Sequence, residues 1–285
     1  MGAAAVKRVV ITGSSGHCGR AIAEAIRQTY PEATVIGMDV VETPTNALDQ
    51  FEKCDVTSPQ LISDISRLMP DTIIHMAFVV NPIRNKARMR QINVDGTRNV
   101  LEAASRCDAS RVVVGSSATA YGAFSENPVP ITEDHPVRAR TEYQYATDKF
   151  EVEQLVLRFS EEHPEIATSW TRPCMIYGPG LSNYLTQFIL NGPLIVLPGG
   201  NDTQMQFVHL QDVAAATCCL VSNNARGPFN VAPPDWFSLS DLARLSGRVA
   251  VKAPLAGCLL FTKIWWGLRL PVFYFPSGLW YFIRY

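Results

Sequence analysis

The sequence lacks an excess of charge of either sign. Its formal net charge is −1 and it contains no run of basic residues, which excludes the phosphate-binding surface of a nucleic-acid-binding protein. Charged residues make up only 18% of the chain and apolar residues 47%, so the chain is globular rather than disordered. Its 285 residues, without internal repeats or low-complexity tracts, allow one large α/β domain or one domain with a smaller lobe.

Cysteine and histidine spacings typical of disulfide frameworks and metal sites are also absent. The seven cysteines contain no CxxC pair, and the adjacent Cys218 and Cys219 fall within a helical pattern. The five histidines show no HxxxH spacing, so no metal site is predicted. We therefore expect reduced, buried thiols and a cytoplasmic protein. A strand is predicted almost at the start of the chain, so no signal peptide is expected.

No uninterrupted apolar run reaches the roughly 18 residues that a membrane span requires, so no integral membrane span is predicted. The most apolar stretch, residues 255–285, is interrupted by Lys263, Arg269, Pro271 and Pro276. Two interpretations of this stretch remain open. It forms core or covers a substrate within a lobe, or it is a membrane-surface patch.

The chain contains a regular alternation of short apolar runs and longer helical patterns. Buried strands separated by helices predict a parallel sheet with helices on both faces, the doubly wound (Rossmann) α/β fold. Residues 1–172 are assigned mainly to this dinucleotide-binding domain. After Arg172 the pattern becomes irregular, so residues 173–285 are assigned mainly to a smaller substrate-binding lobe, with segments returning to the core sheet. The predicted strands are KRVVIT, ATVIGMD, DTIIHMA, RVVVGSS and IATSWTR, and the predicted helices are Gly16–Tyr30, SPQLISDISRLM (Ser58 as N-cap, Pro59 in the first turn), Lys86–Arg106 and Glu142–Glu162.

Three glycines, Gly13, Gly16 and Gly19, lie three residues apart between the first strand and the first helix. In a dinucleotide-binding turn the first permits the tight turn, the second lets backbone approach a pyrophosphate, and the third lets the helix pack close to the sheet. Asp39 ends the next strand. A carboxylate there accepts hydrogen bonds from both ribose hydroxyls and repels a 2′-phosphate, so NAD is predicted rather than NADP. Asp55 has two interpretations, a residue beside the adenine or an ordinary turn residue.

Tyr145 and Lys149 have the spacing of an acid/base pair on a helix. Residues four apart share one helix face, and a lysine cation beside a phenol favours the phenolate. Such a tyrosine can accept a hydroxyl proton while a hydride leaves the same carbon, whereas Tyr143 has no lysine four residues on. Ser116 and Ser117 end the RVVVGSS strand, where ligands lie in a parallel sheet. A serine there can hold a substrate oxygen or cap a turn.

These residues belong to a longer set of motifs that resembles the extended short-chain dehydrogenase/reductase family, also called the NAD-dependent epimerase/dehydratase family. The motifs, between residues 12 and 214, are TGSSGHCG, CDV, HMA, NVDGT, SSATAYG, YATDK, RPCMIYGPG and FVHLQDVA. The resemblance implies a catalytic triad of Ser117, Tyr145 and Lys149, with Lys149 also holding the nicotinamide ribose. It implies that His75 and Ala77 line the cofactor cleft and that Asn93 supports the site from a neighbouring helix. The residues assigned to the NAD site are Gly13, Ser15, Gly16, His17, Cys18, Asp39, Asp55, Val56, Met76, Ala77, Phe78, Asn93, Tyr145, Lys149, Pro173 and Ile176.

Departures from the family pattern narrow the expected chemistry. The 4,6-dehydratases of the family have an acidic pair where this chain has Ala118 and Thr119, so dehydration is disfavoured. Nucleotide-sugar epimerases often have asparagine at the position of Met175, and an arginine near Met205 and Gln206 that neutralises a diphosphate. The form RPCMIYGPG is similar to the 3β-hydroxysteroid dehydrogenase-like and dihydroflavonol reductase-like branches. Two further departures are Phe78, which replaces a small residue and narrows the cleft, and Asp148, which replaces a serine.

The sequence therefore predicts an NAD-dependent oxidoreductase that transfers hydride between NAD and a small-molecule secondary alcohol or ketone of fairly apolar character. One alternative is a nucleotide-sugar epimerase, in which the same triad oxidises and then re-reduces one carbon. The other is an NAD-binding sensor without turnover. The family also implies a homodimer built from the Lys86–Arg106 and Glu142–Glu162 helices, with apolar surface offered by Val152, Leu155, Val156 and Phe159, some of which must face the sheet.

Overall fold

The structure is a computed structural model that describes residues 5–181, 192–268 and 275–285. Arg269 and Pro271, which interrupt the apolar C-terminal stretch, lie outside the described residues. The strands are β1 (Arg8–Thr12), β2 (Thr34–Asp39), β3 (Gln50–Lys53), β4 (Thr72–His75), β5 (Arg111–Gly115), β6 (Ala167–Pro173), β7 (Met175–Tyr177), β8 (Leu194–Pro198), β9 (Gln204–Met205), β10 (Phe207–His209), β11 (Gly227–Val231), β12 (Phe237–Ser238) and β13 (Val249–Ala253). The helices are α1 (His17–Thr29), α2 (Gln60–Leu68), α3 (Lys86–Arg90), α4 (Gly96–Arg106), α5 (Gln144–Glu162), α6 (Leu210–Ser222), α7 (Leu239–Leu245), α8 (Leu255–Gly267) and α9 (Leu279–Arg284).

Seven parallel strands form the central sheet, in the order β11-β6-β5-β4-β1-β2-β3. Successive residues of a strand face opposite sides, and in β1 Val9 and Ile11 pack with α1 and α6, whereas Val10 packs with α2, α4 and α5. Both faces of the sheet are thus covered by helices. The predicted doubly wound α/β fold is confirmed.

All five predicted strands occur in this sheet, as β1, β2, β4, β5 and β6. β3 was not predicted because QFEK is short, has three polar residues out of four and lies at the sheet edge. The predicted Lys86–Arg106 helix is divided by a π-helical turn, Gln91–Asp95. The second helix starts at Gln60, with Pro59 as its N-cap residue and Ser58 Oγ accepting the Gln60 N–H bond at 3.2 Å.

The C-terminal part of the chain contributes to two regions. β11 and α6 complete the central sheet and its covering layer. The remaining described segments, 192–206, 232–268 and 275–285, form a smaller body that we call the lobe. In the lobe β8 and β13 pair in parallel, and Ile195 and Leu197 pack in one cluster with α7, α9 and Tyr145. Across the part of the chain that the structure describes, no helix combines the length and apolar character needed to cross a membrane.

Candidate active site

The glycine turn between β1 and α1 has the geometry that its spacing predicts. Gly13 has φ +75°, and a Cβ there would lie 2.5 Å from the Ala77 nitrogen, so only glycine fits. A Cβ on Gly19 would overlap the Gly13 carbonyl oxygen. Gly16 differs from both, because it is exposed and its Cβ would meet only the Gly13 oxygen, at 3.3 Å. The fold itself therefore requires Gly13 and Gly19, and the open side of Gly16 is free for a ligand.

Asp39 lies at the end of β2 beside this turn. Its carboxylate accepts the Ser15 N–H at 3.0 Å and the Val40 N–H at 2.7 Å. These bonds fix the carboxylate next to the start of α1 and leave lone pairs for further hydroxyl donors. On the other side of the turn, His17 Nε2 lies 2.7 Å from the Gly180 oxygen, which ties the start of α1 to the loop after β7. Cys18 is half-buried, and burial raises the pKa of its thiol, against the opposing effect of the Lys149 charge.

Asp55 and Val56 follow β3. Asp55 accepts both the N–H and the hydroxyl of Thr57 and forms an ion pair with Arg88 at 2.7 Å. Burial alone would raise the pKa of Asp55, but these hydrogen bonds and the Arg88 charge outweigh it and lower the pKa. Val56 is buried, and its Cγ2 would lie 2.6 Å from a Cβ on Gly96. The geometry favours the turn interpretation of Asp55.

His75, at the end of β4, is fully buried and does not line a cleft. Thr97 donates its hydroxyl to the Asn93 oxygen at 2.6 Å, so it must accept from His75 Nε2, 3.0 Å away. His75 Nδ1 is then an acceptor for the Thr12 hydroxyl at 2.6 Å. Burial, together with the Lys149 charge, lowers the pKa of His75 to about 3, so the ring is neutral. The expectation that His75 lines the cofactor cleft is wrong, since both of its nitrogens bind groups of the interior.

Asn93 is also without exposed surface. Its amide nitrogen donates to Asp148 at 2.9 Å and to the Val79 oxygen at 3.2 Å, and its oxygen accepts the Val79 N–H at 2.8 Å. Asn93 therefore joins the loop after β4 to α5. The predicted contact of Asn93 with the cofactor stays a prediction, and its hydrogen bonds show a supporting role. Burial raises the pKa of Asp148, its buried partner.

The three residues after His75, Met76, Ala77 and Phe78, are half-buried at the end of β4. Phe78 covers Lys149, whose Nζ lies 3.1 Å from the centre of the phenyl ring. An ammonium over an aromatic face is attracted by the ring quadrupole. Phe78 therefore stabilises the buried Lys149 cation and shields it from solvent.

Tyr145 and Lys149 lie in the first two turns of α5 and share one face of the helix. Lys149 Nζ lies 5.7 Å from the centre of the Tyr145 ring and donates to the Gly115 oxygen at 2.6 Å. Gly115 ends β5, and Ser117, two residues on, caps a short 3₁₀ turn by accepting the Thr119 N–H at 3.2 Å. Burial lowers the pKa of Lys149 to about 7, although nearby acids oppose the shift.

A buried ion pair behind these residues was not found from the sequence. Arg172 Nε lies 3.0 Å from each Glu153 carboxylate oxygen, and Glu153 also accepts from Ser116 at 2.6 Å and Trp170 at 3.0 Å. Arg172 donates in addition to Tyr121 Oη at 2.8 Å. A signal did exist, because Tyr145, Lys149 and Glu153 are spaced i, i+4 and i+8 and so continue one stripe of α5.

The predicted site residues come from the carboxyl ends of β1 to β6 and from α5, and they meet at one edge of the sheet. Pro173 ends β6 and is buried, and Ile176 lies half-buried in β7. Ligands of open parallel sheets bind at this edge. The exposed backbone at Gly16 and the fixed carboxylate of Asp39 suit a pyrophosphate and a ribose, so the residues fit a dinucleotide.

Comparison with known proteins agrees with this geometry. The sequence model of the NAD dependent epimerase/dehydratase family matches residues 9–232. The chain belongs to that family. Members are NAD-dependent enzymes, so the predicted family, enzyme class and cofactor, NAD, are confirmed.

Named relatives are distant. An uncharacterized protein of Mycobacterium tuberculosis is 26% identical over 256 residues, which is 87% of this chain and 68% of the relative. GDP-6-deoxy-D-mannose reductase of Pseudomonas aeruginosa is 28% identical over 265 residues, 86% of this chain and 80% of the relative. The Thermus thermophilus UDP-glucose 4-epimerase structure, a complex with NAD, has a TM-score of 0.71 at 20% identity and covers 87% of this chain and 86% of its own. This likeness supports the fold.

Proposed function

We propose that this family member oxidises or reduces one carbon of a small molecule, between a secondary alcohol and a ketone, with NAD as hydride partner. The observation that supports the proposal best is the placement of Lys149 between the end of β5, near Ser117, and the Tyr145 ring. An acid/base group, a cation that tunes it and a hydroxyl that can hold an oxygen are thereby brought to one edge of the sheet.

Each residue has a defined part in the proposed reaction. When bound, NAD supplies the hydride acceptor. In oxidation of the alcohol, Tyr145 accepts the proton of the substrate hydroxyl while the C–H bond breaks. In reduction of the ketone, Tyr145 donates that proton back. Lys149 favours the phenolate by its charge, and Ser117 orients the substrate oxygen. The NAD site proposed here consists of the glycine turn, Asp39 and the residues after β4, with Asn93 in a supporting role.

A fairly apolar substrate is supported by the surroundings of Tyr145. Its ring packs in one cluster with Met89 and with apolar residues of the lobe, among them Ile195, Leu197 and Phe275. The segment expected to neutralise a diphosphate offers none of the required cations: Met205 is half-buried, and Gln206 donates to the Pro233 oxygen at 2.6 Å. A nucleotide-sugar epimerase remains the second candidate because named relatives act on nucleotide sugars.

A substrate screen separates the candidates. Secondary alcohols and ketones of increasing apolar character are incubated with NAD or NADH and followed by NADH absorbance, and UDP-, GDP- and dTDP-sugars are analysed in parallel by NMR for a change at one carbon. The proposal expects net NADH change with an apolar alcohol or ketone. Inversion of a sugar carbon without net NADH change would establish the epimerase instead. NAD binding by calorimetry with no turnover would establish the sensor.

We also propose a homodimer through α4 and α5, and a cytoplasmic location that suits the free cysteines of the described residues. Of the four apolar residues named for this interface, some of which were expected to face the sheet, Val152 and Val156 are the ones fully buried against it. The outer groove between the two helices is lined instead by Leu155, Phe159 and charged residues of both helices. Light scattering of the protein at micromolar concentration should give twice the chain mass, and a monomer would contradict the dimer.

A further inference from the structure

The C-terminal segment, residues 242–285, has a composition unlike the rest of the chain. It contains no Asp or Glu, although the whole chain has 26 acidic residues against 25 Lys and Arg. The segment is therefore basic and the remainder is net acidic. It also contains three of the five tryptophans. Its basic residues are Arg244, Arg248, Lys252, Lys263, Arg269 and Arg284.

Within this segment, α8 presents an apolar face to solvent. Leu260, Phe261, Ile264 and Leu268 are 60%, 59%, 53% and 65% exposed. These positions fall on one side of the helix, whereas the buried Cys258 and Thr262 lie on the opposite side. A surface helix of a globular protein normally presents a polar side to solvent, whereas α8 is apolar on nearly every side, its exposed side included.

The outer face of the β8–β13 pair has the same character. Leu194 pairs with Val249, and Val196 with Val251, so all four side chains point to one face. Leu194, Val249 and Val251 are 40%, 69% and 40% exposed. Parallel strands occur almost always with both faces covered, yet here the inner face, with Ile195 and Leu197, is buried, and on the outer face only Val196 is partly packed.

The two apolar surfaces are continuous. A pocket of about 440 Å³ lies between them, lined on the strand side by Leu194 and Val196 and on the helix side by Phe261 and Trp265. We call the outer side chains of β8, β13 and α8 together with this pocket the lobe face. An apolar surface of this extent on a soluble protein marks an interaction site.

Basic residues adjoin the lobe face. Lys263 is exposed on α8, next to Ile264 and three residues from Leu260. Near the end of α8, the exposed Arg84 lies over Trp266, 5.0 Å from the ring centre, and donates to its backbone oxygen. Exposed apolar side chains bordered by cations suit a surface that rests on an anionic membrane, since the cations are attracted to its negative surface potential.

We propose that the lobe face docks on the surface of a bilayer that contains anionic phospholipids. α8 has 13 residues, about 20 Å of helix, which is too short for a hydrocarbon core of about 30 Å, so the contact is peripheral. The charge pattern disfavours a second copy as occupant, because two copies of an acid-free, basic segment would repel each other. The proposal is independent of the reaction assigned to Tyr145.

Flotation of the full chain with vesicles tests the docking. One set contains phosphatidylcholine alone, and the other contains phosphatidylcholine with about a third phosphatidylglycerol. Binding is expected to the second set, roughly 25-fold stronger than to the first, because Lys263 and Arg84 each add about a five-fold electrostatic gain. It should weaken with salt. Equal binding to both sets, or none, would overturn the proposal.

Matched variants locate the contact. Leu260→Ser with Ile264→Ser removes two exposed apolar side chains that do not line the pocket, so the melting temperature should stay unchanged while vesicle binding falls at least about ten-fold. Val129→Ser, at an 89% exposed position outside the lobe face, should bind like the parent. Undiminished binding by the double variant would place any membrane contact elsewhere. A concentration-dependent dimer that the double variant abolishes would identify a second copy as the occupant.

Discussion

Two parallel strand pairs of this protein are covered to different extents. In the central pair, β4 and β5, every residue is buried and helices cover both faces. In the lobe pair, β8 and β13, Ile195 and Leu197 on the inner face are buried, but Leu194, Val249 and Val251 remain exposed. The central sheet is complete within one chain, and the lobe is completed by the surface that we propose it contacts.

The same two regions differ in their buried polar groups. The region around the central sheet buries five polar side chains, and each has a hydrogen-bond partner inside that region. They are His75, Asn93, Lys149, Glu153 and Arg172. In the described parts of the lobe, Thr262 is the single buried polar residue. Buried polar groups are costly unless they are paired, so substitutions around the central sheet should have large effects on turnover or on the free energy of unfolding.

The largest effect is expected at Tyr145. Tyr145→Phe removes only the phenolic oxygen, so the fold should persist while turnover falls by roughly 10² to 10⁴. Tyr143→Phe is the matched control, because Tyr143 packs on Phe282 of α9, with ring centres 5.4 Å apart, and has no lysine four residues on. Steady-state kinetics with a substrate from the screen measure both. More than half of the parent activity in Tyr145→Phe, with a loss in Tyr143→Phe, would show that the wrong tyrosine is assigned.

The next effect concerns stability. Glu153→Gln leaves the buried Arg172 cation without its counter-charge, and breaking a buried ion pair in this way costs about 3–5 kcal/mol. Glu151→Gln, on the same helix, disrupts the partly exposed pair with Arg90 and should cost no more than about 1 kcal/mol. Urea unfolding measures both free energies. Equal losses of unfolding free energy in the two variants would show that burial does not increase the contribution of the Glu153–Arg172 pair to stability.

A third, smaller effect is a pH dependence. Because the pKa of His75 is lowered to about 3 in the folded chain, the unfolded chain binds one more proton between pH 6.5 and about 3. The free energy of unfolding should therefore fall with decreasing pH, by up to about 1.4 kcal/mol per pH unit. Between pH 6.5 and 4.5 carboxylates with ordinary pKa values contribute little to this pH dependence. His75→Gln should lose this slope, and His163→Gln, at a half-buried histidine paired with Glu165, should keep it.

The sequence predicted those features that depend on spacing along the chain. The Gly13–Gly16–Gly19 turn, the five strands and the Tyr145–Lys149 pair each follow from a local period or from a motif. The helical stripe of α5 points to Glu153 but not to its partner. The pairing of Glu153 with Arg172, the Thr12–His75–Thr97 hydrogen bonds and the stacking of Phe78 on Lys149 could not be found in this way. They join residues that are 19 to 71 positions apart, and only the packing of α5 and β4 brings them together. The exposed side of α8 also depends on packing, since its sequence is apolar on nearly every face.

The smallest change in stability is expected at Gly16, where the fold and the ligand make different demands. Its φ of −70° suits any residue, and an added Cβ would only press on the Gly13 oxygen at 3.3 Å. Gly16→Ala should therefore cost less than about 1 kcal/mol in unfolding free energy, mainly from a poorer N-cap of α1. The added methyl group would point into the space where backbone approaches the pyrophosphate, so NAD affinity by calorimetry should fall about ten-fold, or about 1.4 kcal/mol.

Gly19→Ala is the contrasting control, because its methyl group overlaps the Gly13 oxygen and should destabilise the fold itself. Unchanged NAD affinity in a folded Gly16→Ala variant would show that the cofactor does not approach the turn at this glycine.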